Sequence, residues 1–284
     1  MRIFAVNLNE VGLPVQRKKR EQLDLGLKGR SVIVAASSEG IARVAAAKFA
    51  QEGARVAMCS RDAGKLNDAA DEIRSRYSAV VIAEPLDVTD ESAVREFVEH
   101  VAHEFDGVDV CVTNAGGPPP RMFLETTSQE WRRAVELNFM SAVSFARAVV
   151  PHMQRKRWGR LVTITSITVR QPVSDLIYSN AVRAGVVGLV KSLSNEFGKD
   201  GITVNNVAPG FTATERLKQL ARARGAEAGR TEAESLAALG AQTALGRVGA
   251  ADEVADAIVW LASERASYIT GQTLLVDGGL FKGI

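Results

Sequence analysis

Residues 31–51, SVIVAASSEGIARVAAAKFAQ, join a short β-branched run to a helical pattern through a turn of small residues. The same unit recurs twice in the next part of the chain, as predicted strands at 55–59 and 80–83 and predicted helices at 62–77 and 90–105. Short strands that alternate with helices of roughly 10 to 20 residues indicate βαβ units with right-handed crossovers. This part of the chain therefore predicts an α/β protein with a parallel sheet.

The alternation continues almost to the end of the chain. The remaining strands are predicted at residues 108–112, 161–164, 203–207 and 273–276, and the remaining helices at 127–150, 178–197 and 253–262. No linker rich in Pro, Gly or Ser divides these segments. We therefore expect one domain over residues 25–284, built as a Rossmann-like, doubly wound parallel sheet of about seven strands.

Two segments depart from the alternation. Residues 212–246 are rich in Ala, Arg and Glu, and a capping-box pattern starts at Thr231. Their position near the carboxyl edge of the sheet suits a helical lid, and the alternative is a helical surface excursion without a gating role. Residues 1–24 are predicted to be an N-terminal arm, either disordered or the product of a start codon assigned too far upstream, and no function is assigned to them.

The composition excludes several classes of function. A net charge of +2 gives no reason to expect nucleic acid or an anionic membrane as partner, and every apolar run is shorter than the ~20 residues that span a bilayer. Cys59 and Cys111 lie in predicted strands, so we expect reduced core thiols in a cytoplasmic protein. None of the three histidines stands beside an acidic or cysteine cluster, so no metal site is expected.

The turn after the first predicted strand is suited to a pyrophosphate. In a doubly wound fold, backbone N–H groups, side-chain hydroxyls and a helix N-terminus face the phosphates at this turn. The residues concerned are Ala36, Ser37, Ser38, Gly40 and Ile41. A side chain at Ala36 is unfavourable if its φ is positive, because the left-handed region favours glycine.

The end of the second predicted strand indicates which dinucleotide binds. An NAD site usually has a carboxylate there for the ribose 2′-hydroxyl, whereas a 2′-phosphate needs a cation. Ser60 and Arg61 occupy these positions, and the acid is displaced to Asp62, where it suits a helix N-cap. NADP(H) is therefore favoured over NAD(H), and the alternative is an exposed arginine at the start of a loop.

A second group of motifs follows in order along the chain. Hydroxyl residues end the predicted strand in GRLVTITS at 159–166, and Tyr178 opens a long apolar helix in YSNAVRAGVVGLVKSLSNEF. The chain also contains TNAG at 113–116, NNVAPG at 205–210 and YITGQTLLVDGG at 268–279. Together these motifs resemble the short-chain dehydrogenase/reductase family from about residue 25 to residue 279. The first turn resembles that family's Thr-Gly-x3-Gly-Ile-Gly, with only Gly40 retained.

The resemblance implies the rest of the cofactor site. It implies contacts with the adenine from Asp87 and Val88, with the middle of the cofactor from Asn114, Ala115 and Gly116, and with the nicotinamide from Pro209, Gly210 and Thr212. Hydride transfer between the bound cofactor and a carbonyl or alcohol follows as the implied reaction.

The resemblance also implies a catalytic group in which Tyr178 is the general acid or base. Ser166 would hydrogen-bond the substrate oxygen, and Asn138 would support a water relay. Val182 stands four residues after the tyrosine, where the family has a lysine, so the usual means of lowering a phenol pKa from about 10 is missing. Arg183 lies about 140° around the helix from Tyr178, so we expect it to face a neighbouring element or solvent.

Two functions of different classes follow from these features. The first is an NADP(H)-dependent oxidoreductase that acts on a small ketone or alcohol or on an acyl thioester, such as a 3-oxoacyl thioester. The second is a catalytically weak or inactive protein of the same fold that binds nucleotide or assists assembly. The apolar faces of the helices at 141–150 and 178–197 match those through which the family assembles, so a homodimer or homotetramer is expected.

Overall fold

The computed structural model of this chain describes residues 23–227 and 229–284. Of the predicted arm at 1–24, residues 1–22 therefore lie outside the described residues. Seven strands form the main sheet: β1 Ser31–Val34, β2 Arg55–Ser60, β3 Val81–Pro85, β4 Val110–Thr113, β5 Gly159–Ile164, β6 Ile202–Pro209 and, numbered last, β9 Thr273–Val276. Their order is β3-β2-β1-β4-β5-β6-β9, and every neighbouring pair is parallel. The predicted seven-stranded, doubly wound α/β fold is confirmed.

Helices cover both faces of the sheet. They are α1 Gly40–Gln51, α2 Ala63–Tyr77, α3 Glu91–Glu104, α4 Ser128–Val135, α5 Ser141–Lys156, α6 Ile177–Phe197, α7 Glu215–Glu227, α8 Glu232–Gly240 and α9 Ala251–Leu261. Side chains cap several of them as the sequence predicts: the Asp62 carboxylate accepts from the Lys65 N–H at 3.0 Å, and Thr231 closes a capping box with Glu234. Among the residues that the structure describes, no helix is both long and apolar enough to cross a membrane.

The position of β1 at the centre of the sheet follows from its side chains. All four of its residues are buried, and Val32 pairs with Val56 on one side and with Val110 on the other. Parallel strands covered on both faces by helices are expected to be apolar throughout. The carboxyl end of β1 is therefore held rigidly, and with it the turn that leads to α1.

The predicted helix at 127–150 differs from the structure in two ways. A π-helical turn, Glu136–Met140, separates α4 from α5, and the amide of Asn138 donates to the Ala134 carbonyl at 3.4 Å. An extra residue in a helical turn shifts the residues that follow around the helix axis. The helix also continues through Pro151 to Lys156, beyond the predicted end.

The predicted excursion at 212–246 is helical. Two short strands, β7 Thr212–Ala213 and β8 Gly249–Ala250, pair in parallel and bracket α7 and α8. Because β7 begins three residues after β6 ends, α7 starts at the carboxyl edge of the main sheet. This position brings α7 next to the loops that follow the strands.

Candidate active site

A cavity of about 380 Å³ opens at the carboxyl ends of β1, β4, β5 and β6. In open α/β sheets this edge, where the strand order reverses, is the usual place for a ligand. Most of the predicted site residues line the cavity: Ala36, Ser38, Gly40, Ile41, Ser60, Arg61, Val88, Asn114, Ala115, Gly116, Ser166, Pro209, Gly210 and Thr212. The sequence motifs that are far apart along the chain therefore meet in one place.

The turn between β1 and α1 has the features of a phosphate cradle. Ala36 has φ of 47° and Gly40 φ of 66°, and the Asn114 side chain donates to the Ala36 carbonyl at 3.2 Å. Glu39, at the N-cap of α1, makes no capping hydrogen bond with its side chain. The first N–H groups of α1 are thus available to an anion, which fits the diphosphate of a dinucleotide.

Two predicted cofactor residues lie outside this cavity. Ser37 is fully buried, and its hydroxyl donates to the Val34 carbonyl at 2.7 Å, so the prediction that this hydroxyl contacts phosphate is wrong. Asp87 lines a separate cavity of about 280 Å³, and its carboxylate accepts two hydrogen bonds from Thr89. Although partial burial acts to raise the pKa of Asp87, these hydrogen bonds and the Arg61 charge hold it below its usual value.

The end of β2 carries no carboxylate at the position where a ribose would lie. The hydroxyls of Ser60 and Ser38 are 2.8 Å apart, and both residues line the cavity. Arg61 follows with a side chain that is 61% exposed and 4.0 Å from Asp87. A mobile cation at the rim of the cavity is suited to a phosphate monoester.

Tyr178 lies on a different side of α6 from the cavity. Its ring is fully buried and packs edge to face on Trp131, with the centroids 4.8 Å apart. Its hydroxyl donates to the Glu130 carboxylate at 2.9 Å. Burial first, and then the contact with Glu130, raise the pKa of Tyr178, whereas a proton relay at neutral pH needs a lowered pKa. The prediction that Tyr178 faces the substrate as acid or base is therefore corrected.

Val182 lies on the same side of α6 as Tyr178. It is buried in a small cluster with Tyr178 and Ala134, so a lysine at position 182 would not reach the cavity. Residues four apart on a helix share a side, which is why Tyr178 and Val182 turn away together.

Ser179 and Arg183, also four residues apart, do line the cavity. The Ser179 hydroxyl is 3.1 Å from the Thr168 hydroxyl. Arg183 is buried, and its Nη1 donates to the carbonyls of Ile164 and Thr165 at 3.2 Å each. Arg183 thus faces a neighbouring element, as expected, and that element, the end of β5, forms part of the cavity wall.

Arg183 supplies a positive charge next to position 182, where the family has a lysine. Burial, and then the positive charge of Arg216, lower the pKa of Arg183 to about 10, so the side chain remains charged at neutral pH. Ser166 lies beside it in the cavity wall, and its hydroxyl accepts from the Thr168 N–H at 3.3 Å. Ser166, Thr168, Ser179 and Arg183 thus combine three hydroxyls with one fixed cation.

Asn138 is not in the cavity wall. It is buried in the π-helical turn, its amide nitrogen donates to the Ala134 carbonyl, and its Oδ1 accepts from no described residue. Leu137, its neighbour, lines the cavity instead. Asn138 was predicted to support a water relay, but it has no contact with the cavity through which it could do so.

Residues from the loop after β6 and from α7 line the far side of the cavity. Phe211, Leu217 and Leu220 supply apolar lining. Arg216 and Arg224, which the sequence analysis did not single out, line it as well. Apolar periodicity does not separate the two stripes of α6. Steps of four back from Val190 lead through Val186 and Val182 to Tyr178, whereas a step of three back from Val186 leads to Arg183 and then to Ser179.

A doubly wound parallel sheet with a phosphate cradle at its first crossover defines the class of dinucleotide-binding α/β proteins. Residues 35–281 match a family model described as Enoyl-(Acyl carrier protein) reductase. The chain belongs to the short-chain dehydrogenase/reductase family and is an oxidoreductase.

Three relatives illustrate the range of this family. The 3-oxoacyl-[acyl-carrier-protein] reductase FabG of Escherichia coli (strain K12) is 32% identical over 257 residues, which are 90% of this chain and 99% of the relative. The structure of L-sorbose reductase from Gluconobacter frateurii, complexed with NADPH and L-sorbose, is 30% identical with a TM-score of 0.89, covering 92% of this chain and 100% of that one.

The third relative is of interest because its catalytic center is described as atypical. An NADPH-bound short chain oxidoreductase from Pseudomonas aeruginosa PAO1, described as containing an atypical catalytic center, is 31% identical with a TM-score of 0.83. The alignment covers 90% of this chain and 99% of that one. A member of the family with an unusual catalytic center is thus known to bind NADPH.

Proposed function

We propose that this protein is an NADP(H)-dependent oxidoreductase that interconverts a carbonyl and an alcohol, with Arg183, Ser166 and Ser179 in place of a catalytic tyrosine and lysine. One observation carries the proposal: the stripe of α6 that faces the phosphate-binding cavity holds Ser179 and Arg183, whereas Tyr178 is bonded to Glu130 outside it.

The residues present suit NADP(H). The open N-terminus of α1 would hold the diphosphate, and Asn114 keeps the Ala36 backbone in the required shape. Arg61 and Ser60 would bind the 2′-phosphate, because no carboxylate stands at the end of β2 to repel it. The NADPH complexes of two relatives agree with this choice.

Bound NADPH supplies the hydride that turns a carbonyl carbon into an alcohol carbon. Ser166 would hydrogen-bond the carbonyl oxygen, and Arg183 would stabilise the negative charge that grows on that oxygen. Arg183 is suited to this because its two carbonyl contacts fix it in place and its charge is permanent at neutral pH. An arginine does not release its proton, so the proton on the product oxygen must come from elsewhere.

The hydroxyl pair Ser179–Thr168 is the proposed proton path. The two oxygens are 3.1 Å apart, a distance at which one hydroxyl donates to the other. Ser179 would hand a proton to the alkoxide and recover one through Thr168 from solvent. Tyr178 has no part in this path, since its own proton is committed to Glu130.

The substrate is proposed to be a ketone or the corresponding alcohol, with a 3-oxoacyl thioester among the candidates. The relatives support this range, because one is a 3-oxoacyl-[acyl-carrier-protein] reductase and another an L-sorbose reductase. The apolar lining from Phe211, Leu217 and Leu220 would accept the carbon skeleton.

The test compares two substitutions on adjacent stripes of α6. NADPH and NADH are first titrated by fluorescence, and turnover of a ketone panel is then measured for the wild type, Arg183→Met and Tyr178→Phe. Removal of Arg183 should lower kcat/KM about 100- to 1000-fold, as expected for a group that stabilises an oxyanion. Tyr178→Phe should stay within about threefold of the wild type, because a hydroxyl outside the cavity cannot bear on the transition state.

The opposite ranking of these two variants would overturn the proposed roles. The alternative function, a nucleotide-binding protein without catalysis, predicts tight NADPH binding and no turnover of any ketone by the wild type. This alternative is favoured because no tyrosine is found among the described residues that line the cavity. A protein that binds neither nucleotide would exclude both functions.

We also propose that the protein is a cytoplasmic homodimer or homotetramer that assembles through α5 and α6. The exposed side of α6 carries Ala181, Ala184, Gly185 and Gly188, and small residues let a second helix approach closely. A side chain at Gly188 would meet no atom of its own chain within 4 Å. Gly188→Arg should therefore lower the mass measured by light scattering without unfolding the protein; a wild type that is a monomer would exclude the assembly.

A further inference from the structure

The cavity holds more positive charge than hydride transfer requires. Arg183 contacts only the Ile164 and Thr165 carbonyls. Arg216, on α7, reaches across the cavity and donates through Nη2 to the Pro118 carbonyl at 2.6 Å. Both side chains line the cavity, and both end in neutral carbonyl acceptors.

Neither guanidinium has a carboxylate partner within 4.0 Å among the residues that the structure describes. The two glutamates in the cavity lining are already paired, Glu215 with Arg222 and Glu39 with Lys65, and Asp175 is paired with Arg224 at 3.0 Å. A cation that is half-buried or buried without a counter-ion is costly, and two such cations that repel each other are more so.

Burial and a neighbouring positive charge act in the same direction on both groups. Burial, followed by the charge of Arg216, lowers the pKa of Arg183, and burial, followed by the charge of Arg224, lowers the pKa of Arg216. The three arginines thus form a row of like charges along the cavity, and only Arg224 is neutralised.

The phosphates of a dinucleotide have donors that do not involve Arg216, because the N-terminus of α1 is open. Arg216 instead contacts the loop that follows Gly116: its Nε is 3.2 Å from the position of a Cβ on Gly117. Its Nε and Nη1 donate to no described residue, and Nη2 has a second N–H besides the one on Pro118, so an edge of the guanidinium that includes Nη2 is left for a ligand.

We propose that the substrate carries an oxyanion, a carboxylate or a phosphate, close to its carbonyl group, and that Arg216 binds this oxyanion while Arg183 holds the carbonyl oxygen. The inference rests on the proposed oxidoreductase function and narrows its substrate class from ketones in general to keto acids and keto phosphates. A guanidinium fork pairs with either anion through two parallel hydrogen bonds, so the geometry leaves the source of the oxyanion to experiment.

Matched charged and neutral substrates test this directly. Acetoacetate is compared with methyl acetoacetate and with its neutral N-acetylcysteamine thioester, and dihydroxyacetone phosphate is compared with dihydroxyacetone. The wild type should prefer the charged member of at least one set by about 100-fold in kcat/KM, since a desolvated charge pair of this kind contributes that much.

Substitution of Arg216 should abolish the preference. Arg216→Gln is expected to lower kcat/KM for the charged member by about 100-fold and to leave the neutral member within about threefold. Lys218→Gln is the matched control, because Lys218 carries the same charge on the same helix, is exposed and does not line the cavity. It should leave both members unchanged.

Three results would overturn the proposal. One is a wild type that prefers the neutral members. Another is an equal loss for charged and neutral members in Arg216→Gln, and the third is a clear loss of NADPH affinity in that variant, since the arginine would then serve the cofactor. If the wild type turns over no ketone, the proposed oxidoreductase function is excluded, whatever the role of Arg216.

The anion site is tested separately from turnover by calorimetry. Titrations of 3-hydroxybutyrate and of glycerol 3-phosphate into the protein with NADP+ should show binding by the wild type that Arg216→Gln loses. Such binding without catalysis would retain the oxyanion site and exclude the reductase. No binding of either anion to the wild type would exclude the site.

Discussion

Helix α6 presents two stripes that are one residue apart in the sequence and lie in different surroundings. Tyr178 and Val182 pack with Ala134 and Trp131, and the phenol is bonded to Glu130. Ser179 and Arg183 face the cavity, in contact with Thr168 and the end of β5. A rotation of about 100° about the helix axis separates the side of α6 that packs on Trp131 from the side that lines the cavity.

The difference shows that residue type alone does not locate the chemistry of this site. Tyrosine is the more familiar catalytic group, yet its position on the helix directs it away from the cofactor cavity. Both pairs lead along the helix to the buried Val186 and Val190. What distinguishes them is the neighbouring element: Ser179 and Arg183 contact Thr168 and the end of β5, whereas Tyr178 contacts Glu130.

The largest effect that separates the two stripes is expected at Val182. Val182→Lys places an ammonium group in the apolar cluster with Tyr178 and Ala134, and burial of an unpaired charge should cost about 3 kcal/mol of unfolding free energy. Urea unfolding measures this, with Val182→Leu as a control that should lose less than about 1.5 kcal/mol. A lysine variant as stable as the wild type and more active would show that position 182 reaches the cavity.

The hydroxyl of Ser179 is the next largest contribution. Ser179→Ala should lower kcat about tenfold, which is ~1.4 kcal/mol, because the proton path to Thr168 is interrupted. Ser192→Ala is the control on the same helix: its exposed hydroxyl donates only to the Gly188 carbonyl. A solvent isotope effect on kcat that is the same in the wild type and in Ser179→Ala would argue against a proton path through this residue.

Conversion of the arginine to a lysine should be tolerated. Arg183→Lys keeps a cation on the cavity stripe but loses the guanidinium, whose Nη1 contacts both the Ile164 and the Thr165 carbonyl. We expect kcat/KM to fall only about fivefold, or ~1 kcal/mol, far less than in Arg183→Met. Steady-state kinetics with NADPH would distinguish the two variants; an equal loss in both would mean that shape rather than charge at position 183 is required.

The smallest effect is expected at the phosphate cradle. Ala36 has φ of 47°, so Ala36→Gly relieves strain of about 1 kcal/mol, while the added freedom of the unfolded chain offsets most of the gain. The net change in unfolding free energy should stay below about 0.5 kcal/mol, with NADPH binding unchanged or slightly tighter. Ala35→Gly, at a buried position without positive φ, should instead destabilise by about 1 kcal/mol, which thermal unfolding would show.

The fold was predictable because the sequence repeats one local pattern. Each β-branched run from 31–36 to 273–276 became a strand of the parallel sheet, and Cys59 and Cys111 are free and buried as expected. Burial raises the pKa of the Cys59 thiol to about 12, so it is inert as well as reduced. The break in the helix at Glu136–Met140 was missed, because a π-helical turn has no distinct residue pattern.

The cavity residues at the strand ends were also predictable, since the turns at Gly40 and Gly116 follow from strand ends that the sequence locates. The proposed catalytic residues were not, because the assignment was anchored on Tyr178, whereas its neighbour Ser179 lines the cavity, and one residue on a helix changes the side that it faces. The prediction for Ser37 was wrong for a similar reason: its neighbour Ser38 faces the cavity, whereas the Ser37 hydroxyl donates to the Val34 carbonyl. Arg216 and Arg224 come from the lid, whose contacts depend on tertiary packing that no local pattern encodes.

The lid contacts have a consequence for the rate at which substrate enters. Helix α7 is tied to two loops, by Arg216 to the Pro118 carbonyl and by Arg224 to Asp175, whose own φ is 61°. Under the proposal above, an anionic substrate would enter past α7 towards Arg216. Added salt would weaken the Arg224–Asp175 pair, which favours entry, and would also weaken the attraction of Arg216 for the anion, which slows it. The association rate should therefore fall less steeply with ionic strength than the attraction of Arg216 alone predicts.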